Sequence, residues 1–156
     1  MRYHEGVEYA RRIRARREAL HLTQRDVAER SGVKQPLISA IESGKREPSA
    51  ATRAALDEAL AVRPSEVLRL LRQETMAVIE RHRGTTPLVF GSVARGTDSP
   101  ESDIDLLITF AEEAGITDLL AMEDELSELL TVPVDVVSAG SSGRVIDRAL
   151  REAVPL

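Results

Sequence analysis

The sequence predicts a two-module α+β chain, an all-α N-terminal module followed by a small α/β module with a short mixed sheet. Three observations predict it. Across residues 5–79 nearly everything reads as helix, whereas farther on short apolar runs alternate with helical patterns. The charge divides in the same way. Residues 1–63 carry 13 Lys+Arg against 9 Asp+Glu, a balance of +4, and residues 64–156 carry 8 against 17, a balance of −9. Finally, 156 residues leave room for two small domains. The expected division is 1–65 and 66–156, with a helix over 65–83 as the joint.

Composition narrows the function classes. With 42% hydrophobic and 30% charged residues, the chain can bury real cores. It has no cysteine, which excludes disulfides and thiolate metal sites. No apolar run approaches the length of a membrane span, and "MRYHEGVEYARRIRARRE" lacks an apolar signal core, so a cytoplasmic protein with no membrane partner is expected. The basic half favours a polyanion, while overall acidity disfavours diffuse nucleic-acid binding by the whole molecule.

In the first half, Val7, Ala10, Ile13 and Leu20 form an apolar set on a first helix. Thr23 is a fitting N-cap for a short helix over 24–30, which Ser31-Gly32 breaks, Gly32 being free to take a positive φ. A second short helix runs over 35–43, with Pro36 tolerated in its first turn and Gly44 as its stop. Val27, Val33, Ile38 and Ile41 fall inward, and Ala28 is small where the helices cross. This spacing is that of a helix-turn-helix, with an ordinary helical hairpin as the alternative.

The stretch "RREALHLTQRDVAERSGVKQPLISAIESGKREPSAATRAALDEALAV" resembles the Cro/repressor-type (XRE) helix-turn-helix family, in a five-helix domain. The resemblance implies a buried Arg17–Glu42 salt bridge between the first and third helices, and a Gln24 contact to a DNA phosphate. It places the third helix in the major groove. There Gln35 suits a bidentate contact with adenine, Lys34 and Ser39 assist, and Lys45 and Arg46 lie where phosphates would be. Pro36 and Ala40 occupy positions that are often polar readers in the family, so specificity is expected to lean on DNA shape or dimer spacing. A homodimer, or assembly with a partner, is expected on a DNA operator.

In "RPSEVLRLLRQETMAVIERHRG", Leu68, Leu71, Met76 and Ile79 share a face, and His82 reads as a surface residue at a helix end. Three strands follow, at 87–90, 103–110 and 133–137. Between the last two lies a helix striped by Leu119, Leu120, Met122, Leu126 and Leu130, and a last helix closes the chain. Phe90 and Phe110 are expected in the core.

The chemistry gathers in three places. Gly91-Ser92 follows the first strand, where open N–H groups and a hydroxyl make an anion site. Asp103 and Asp105 are two apart, hence on one face, and Asp135 sits similarly in the third strand. Singly, each aspartate reads as a strand-end carboxylate. Together they repel unless cations fill the cluster, and hard oxygen ligands suit Mg²⁺. The arrangement predicts a phosphate held by Gly91, Ser92 and Arg95 above one or two Mg²⁺ ions, which is phosphoryl or nucleotidyl transfer.

"GSVARGTDSPESDIDLLITF" also resembles the G-S-x10-D-x-D signature of the polymerase β-type nucleotidyltransferases, and is most similar to the minimal nucleotidyltransferases. The resemblance implies that Gly91 and Ser92 bind the β- and γ-phosphates of ATP or another NTP and that Arg95 approaches them. It makes Asp103 and Asp105 Mg²⁺ ligands, and Asp135 the third carboxylate, which also deprotonates the acceptor hydroxyl. Minimal nucleotidyltransferases resemble, as a group, the antitoxin half of HEPN/MNT toxin–antitoxin pairs, in which AMP passes from ATP to a tyrosine of the HEPN toxin. The family thus implies a toxin partner and an autoregulating antitoxin. A repressor whose second module only binds nucleotide or partner, and an antibiotic-type small-molecule nucleotidyltransferase, are the alternatives.

Overall fold

A computed structural model describes residues 2–156, with side chains described from residue 6 onward apart from Val145 and Arg148. It divides into two compact units, Met1–Ala61 and Val62–Leu156.

The first unit holds α1 (Arg2–Ala19), α2 (Gln24–Ser31), α3 (Gln35–Glu42) and α4 (Ala50–Ala59). Thr23 caps α2 through a reciprocal box: its hydroxyl accepts from Asp26 N at 3.1 Å, and Asp26 Oδ2 accepts from Thr23 N at 2.7 Å. Gly32 ends the helix at φ +70, a left-handed turn that a β-carbon would strain. Gly44 does the same after α3, and the backbone N–H groups of Lys45 and Arg46 fold back onto Ala40 O. Tyr9, Ile13, Val27, Ile38, Ile41, Leu56 and Leu60 form one buried cluster. At about 1.5–3 kcal/mol for each large apolar side chain buried, this cluster is what holds the three short helices against α1.

The second unit opens with α5 (Pro64–Leu70) and α6 (Arg72–Arg81), then β1 (Gly84–Phe90), α7 (Gly91–Arg95), β2 (Ile104–Phe110), α8 (Ile116–Leu130), β3 (Val134–Ser138), α9 (Arg144–Glu152) and β4 (Val154–Pro155). The single helix expected over 65–83 is two helices, broken at Leu71 with φ −106 and ψ 26. β1 starts at Gly84 rather than 87, and β4 was unforeseen. Two residues carry no periodicity, and β4 exists only because β1 has an open edge to pair with.

The sheet order is β3-β2-β1-β4, with β2 and β3 parallel and the other pairs antiparallel. One face packs under α6 and α8. There a β-carbon on Gly84 would lie 2.8 Å from both Ile79 Cγ2 and Ile108 Cγ2, and 2.9 Å from Met122 Cε. Ile104, Leu106 and Ile108 fill that face and are fully buried. The alternate residues of β2 point to the opposite face, where α7 and α9 pack. The outer edge of β3 is covered by α8: Ser127 Oγ accepts from Val134 N and Glu123 Oε2 from Val136 N, both at 3.0 Å. Among the described residues no helix is long and apolar enough to cross a membrane.

Candidate nucleotidyl-transfer site and candidate DNA-reading surface

The pairing register builds the first site. Phe90 of β1 stands opposite Asp105 of β2, and Asp105 opposite Asp135 of β3, so these side chains line one sheet face. Asp103 lies just before β2 rather than within it, because the strand starts at Ile104. It still joins the cluster. One carboxylate oxygen from each of Asp103, Asp105 and Asp135 lies within 4.8 Å of the other two. Asp103 and Asp135 are exposed and Asp105 is half-buried.

Electrostatics match the geometry. Burial and then the charges of Asp103 and Asp135 push the Asp105 carboxyl above the usual carboxylate range, against a smaller pull from Arg95. A cation placed among the three would reverse that repulsion, so the donor set fits a hard divalent ion.

The Gly91-Ser92 turn is equally specific. Gly91 has φ +68, and a β-carbon there would lie 2.0 Å from Asp105 Oδ2. Only glycine gives both that backbone and that closeness. Ser92 Oγ is buried and has no hydrogen-bond partner among the described residues. An unpartnered buried hydroxyl is costly unless something outside the chain completes it, and a phosphate oxygen would. The Gly91-Ser92 turn therefore abuts the acidic cluster.

Arg95 ends α7, and its Nη1 donates to Glu152 Oε2 of α9 at 2.9 Å. Nothing in the sequence pointed to Glu152, which lies 57 positions away. Two expectations need correction. Phe90 and Phe110 are half-buried rather than in the core, since both end strands at the sheet margin. His82 is mostly covered, at 17% side-chain exposure, because Glu125 of α8 reaches it at 2.7 Å.

In the first unit Arg17 and Glu42 do meet, at 2.7 and 3.0 Å, with Glu42 at 5% and Arg17 at 13% side-chain exposure. Their bond continues outward. Gln24 Nε2 donates to Glu42 Oε2 at 2.9 Å, and Gln35 Nε2 donates to Gln24 Oε1 at 2.8 Å. This relay sets the Gln35 amide, leaving its Oε1 and its second N–H available, the acceptor and donor an adenine edge needs. Ser39 is half-buried, while Lys34, Lys45 and Arg46 are exposed around α3. The spacing of Gln24 and Gln35 gave no sign of their mutual bond.

Comparison with known proteins matches a family to each half of the chain. Residues 13–67 match the helix-turn-helix family model, and residues 76–154 the nucleotidyltransferase domain model. A "putative protein adenylyltransferase" of Methanocaldococcus jannaschii is 34% identical over 77 residues, which are 49% of this chain and 79% of that one. An "uncharacterized HTH-type transcriptional regulator" of Mycobacterium tuberculosis is 46% identical over 56 residues, 36% of this chain and 39% of the regulator. A solved structure described as a "putative minimal nucleotidyltransferase" superposes with a TM-score of 0.53 at 41% identity, covering 59% of this chain and 95% of that one.

Proposed function

Because the chain belongs to the nucleotidyltransferase domain family and carries a helix-turn-helix domain, we propose that it is the antitoxin of a toxin–antitoxin pair. It transfers AMP from ATP, with Mg²⁺, to a tyrosine hydroxyl of a HEPN-type toxin, and it binds its own operator. The observation that carries the transfer is the cluster of Asp103, Asp105 and Asp135 against the Gly91-Ser92 turn. The M. jannaschii relative bears the name of a protein adenylyltransferase, which supports a protein acceptor. The joining of a DNA-reading module to this enzyme supports autoregulation.

In this reading the Gly91 and Ser92 turn and Arg95 hold the β- and γ-phosphates. Asp103, Asp105 and Asp135 would hold the metal, which when bound would supply neutralisation of the charge on the phosphates. The acceptor oxygen forms a bond to the α-phosphorus as the bond from that phosphorus to the β-bridging oxygen breaks. Pyrophosphate leaves, and Asp135 takes the acceptor's proton. The Gln35 amide reads an adenine, while Gln24, Lys34, Ser39, Lys45 and Arg46 position the helix on the operator. The protein acts as a dimer or in an oligomer with the toxin.

The test incubates the chain with labelled ATP, Mg²⁺ and the protein encoded beside it. Label should appear on that partner, and an Asp103→Ala/Asp105→Ala variant should lower the rate at least about a thousandfold, several kcal/mol of lost transition-state stabilisation. Complete neutralisation of the partner by this variant would mean that contact alone silences it.

A further inference from the structure

Residues 96–103 join the phosphate turn to the metal cluster, yet they form neither helix nor strand. Irregular chain holding a functional group within a fraction of an ångström must be fastened from outside itself. The fastening is visible at Asp98, whose side chain is 0% exposed. Arg63 Nη2 donates to its Oδ1 at 2.8 Å, and the backbone N–H of Ser65 donates to its Oδ2 at 2.9 Å. Arg63 Nε also donates to the Asp98 carbonyl at 3.1 Å, and Nη2 to the Gly96 carbonyl at 3.4 Å.

The other end of the clamp is informative. Arg63 and Ser65 flank the start of α5 and lie within residues 13–67 of the helix-turn-helix match, outside residues 76–154 of the nucleotidyltransferase match. The loop that delivers Asp103 is therefore fastened by chain that the nucleotidyltransferase model does not include. A buried carboxylate is costly unless fully bonded. Asp98 meets that cost through its bonds from Arg63 and Ser65, just before the turn closed by Ser99 and Ser102.

We propose that the Arg63–Asp98 pair is a positioning clamp for nucleotidyl transfer, holding the 96–102 loop so that Asp103 stays in register with Asp105 and Asp135. The clamp rests on the reading of those three carboxylates as the metal site. Neither Arg63 nor Asp98 touches substrate; both act through Asp103. Outer supports of metal ligands typically contribute about 10–100-fold in metal affinity.

The test uses the full chain and a fluorescent, non-hydrolysable ATP analogue, with the Mg²⁺ concentration for half-maximal binding as the readout. Arg63→Ala leaves the buried Asp98 carboxylate only its bond from Ser65, so the melting temperature should fall, and Mg²⁺ binding is read well below it on chain that is still folded. The variant should raise the half-saturating Mg²⁺ about tenfold, and Arg63→Lys should recover part of the loss. Adding Asp98→Asn to Arg63→Ala should cost no further Mg²⁺ affinity, since the two act as one unit. Glu125→Ala, which breaks the His82 contact, should lower the melting temperature and leave the half-saturating Mg²⁺ unchanged. A lowered melting temperature with wild-type Mg²⁺ dependence in Arg63→Ala would reduce the pair to a structural bridge and overturn the clamp. Binding without Mg²⁺ dependence in the wild-type chain would instead overturn the metal-site reading, and the clamp with it.

Discussion

Charge is gathered in both units, with opposite outcomes. In the first, Glu42 is almost wholly covered, and Arg17 answers it with two hydrogen bonds at 2.7 and 3.0 Å. In the second, three carboxylates converge within 4.8 Å, and burial, then the charges of Asp103 and Asp135, push the Asp105 carboxyl up rather than down. A cluster that neutralises itself holds the fold together, whereas a cluster of one sign stores repulsion that only a ligand relieves. The first unit then spends its internal pair on orientation, passing it through Gln24 to Gln35.

Breaking the self-neutralised pair should give the larger stability loss. Arg17→Ala leaves Glu42 buried without its cation, and should cost about 3–5 kcal/mol in urea unfolding. Replacing both residues by methionine should cost much less than that. Equal losses in the single and double variants would show that packing, not charge, dominates there.

The one-signed cluster should respond the other way. Asp105→Asn should raise the melting temperature of the metal-free chain, because it removes repulsion among three carboxylates. Mg²⁺ at about 100 times its Kd should stabilise the wild type by about 2.7 kcal/mol and the variant far less. A destabilised Asp105→Asn chain in metal-free buffer would contradict the stored repulsion.

A smaller effect tests the relay. Gln35→Ala should weaken specific operator binding by roughly 1–3 kcal/mol without changing unfolding. Gln24→Ala should reproduce part of that loss, through the freed Gln35 amide and through its own phosphate contact. Operator affinity unchanged by both would remove the relay from readout.

The smallest change concerns pH. Burial alone would raise the Asp98 carboxyl, but bonds from Ser65 and Arg63 outweigh it and hold the group below the usual range. Its contribution to stability is present above the unfolded carboxylate value of about 3.9 and fades as pH falls through the lower folded value. The melting-temperature gap between wild type and Asp98→Asn should therefore narrow in acid. A gap that widened in acid would mean that the folded group titrates higher, not lower.

Local patterns were legible because they act within a few residues. Thr23 with Asp26, Gly32 and Gly44 write the helix-turn-helix into the chain. Gly91-Ser92 and the Asp103, Asp105 spacing mark the second site on the same scale, and the half-buried placement of Asp105 follows from its strand. The partners of these groups were not legible. Asp98 reads as one more turn residue until Arg63, 35 positions earlier, is seen against it. Glu152 and β4 likewise acquire meaning only beside Arg95 and β1.

The sequence by itself determined two modules, their opposite charge, and the residue types proposed to read DNA and gather metal, since capping, periodicity and glycine freedom are short-range. Tertiary structure alone decided that Asp135 stands in register with Asp105, that Gln24 holds Gln35, and that Arg63 fastens the loop before Asp103. Those are pairings between residues distant in sequence. Strand register selects the first and burial against packed helices the others, and neither is fixed until the core of its unit has closed.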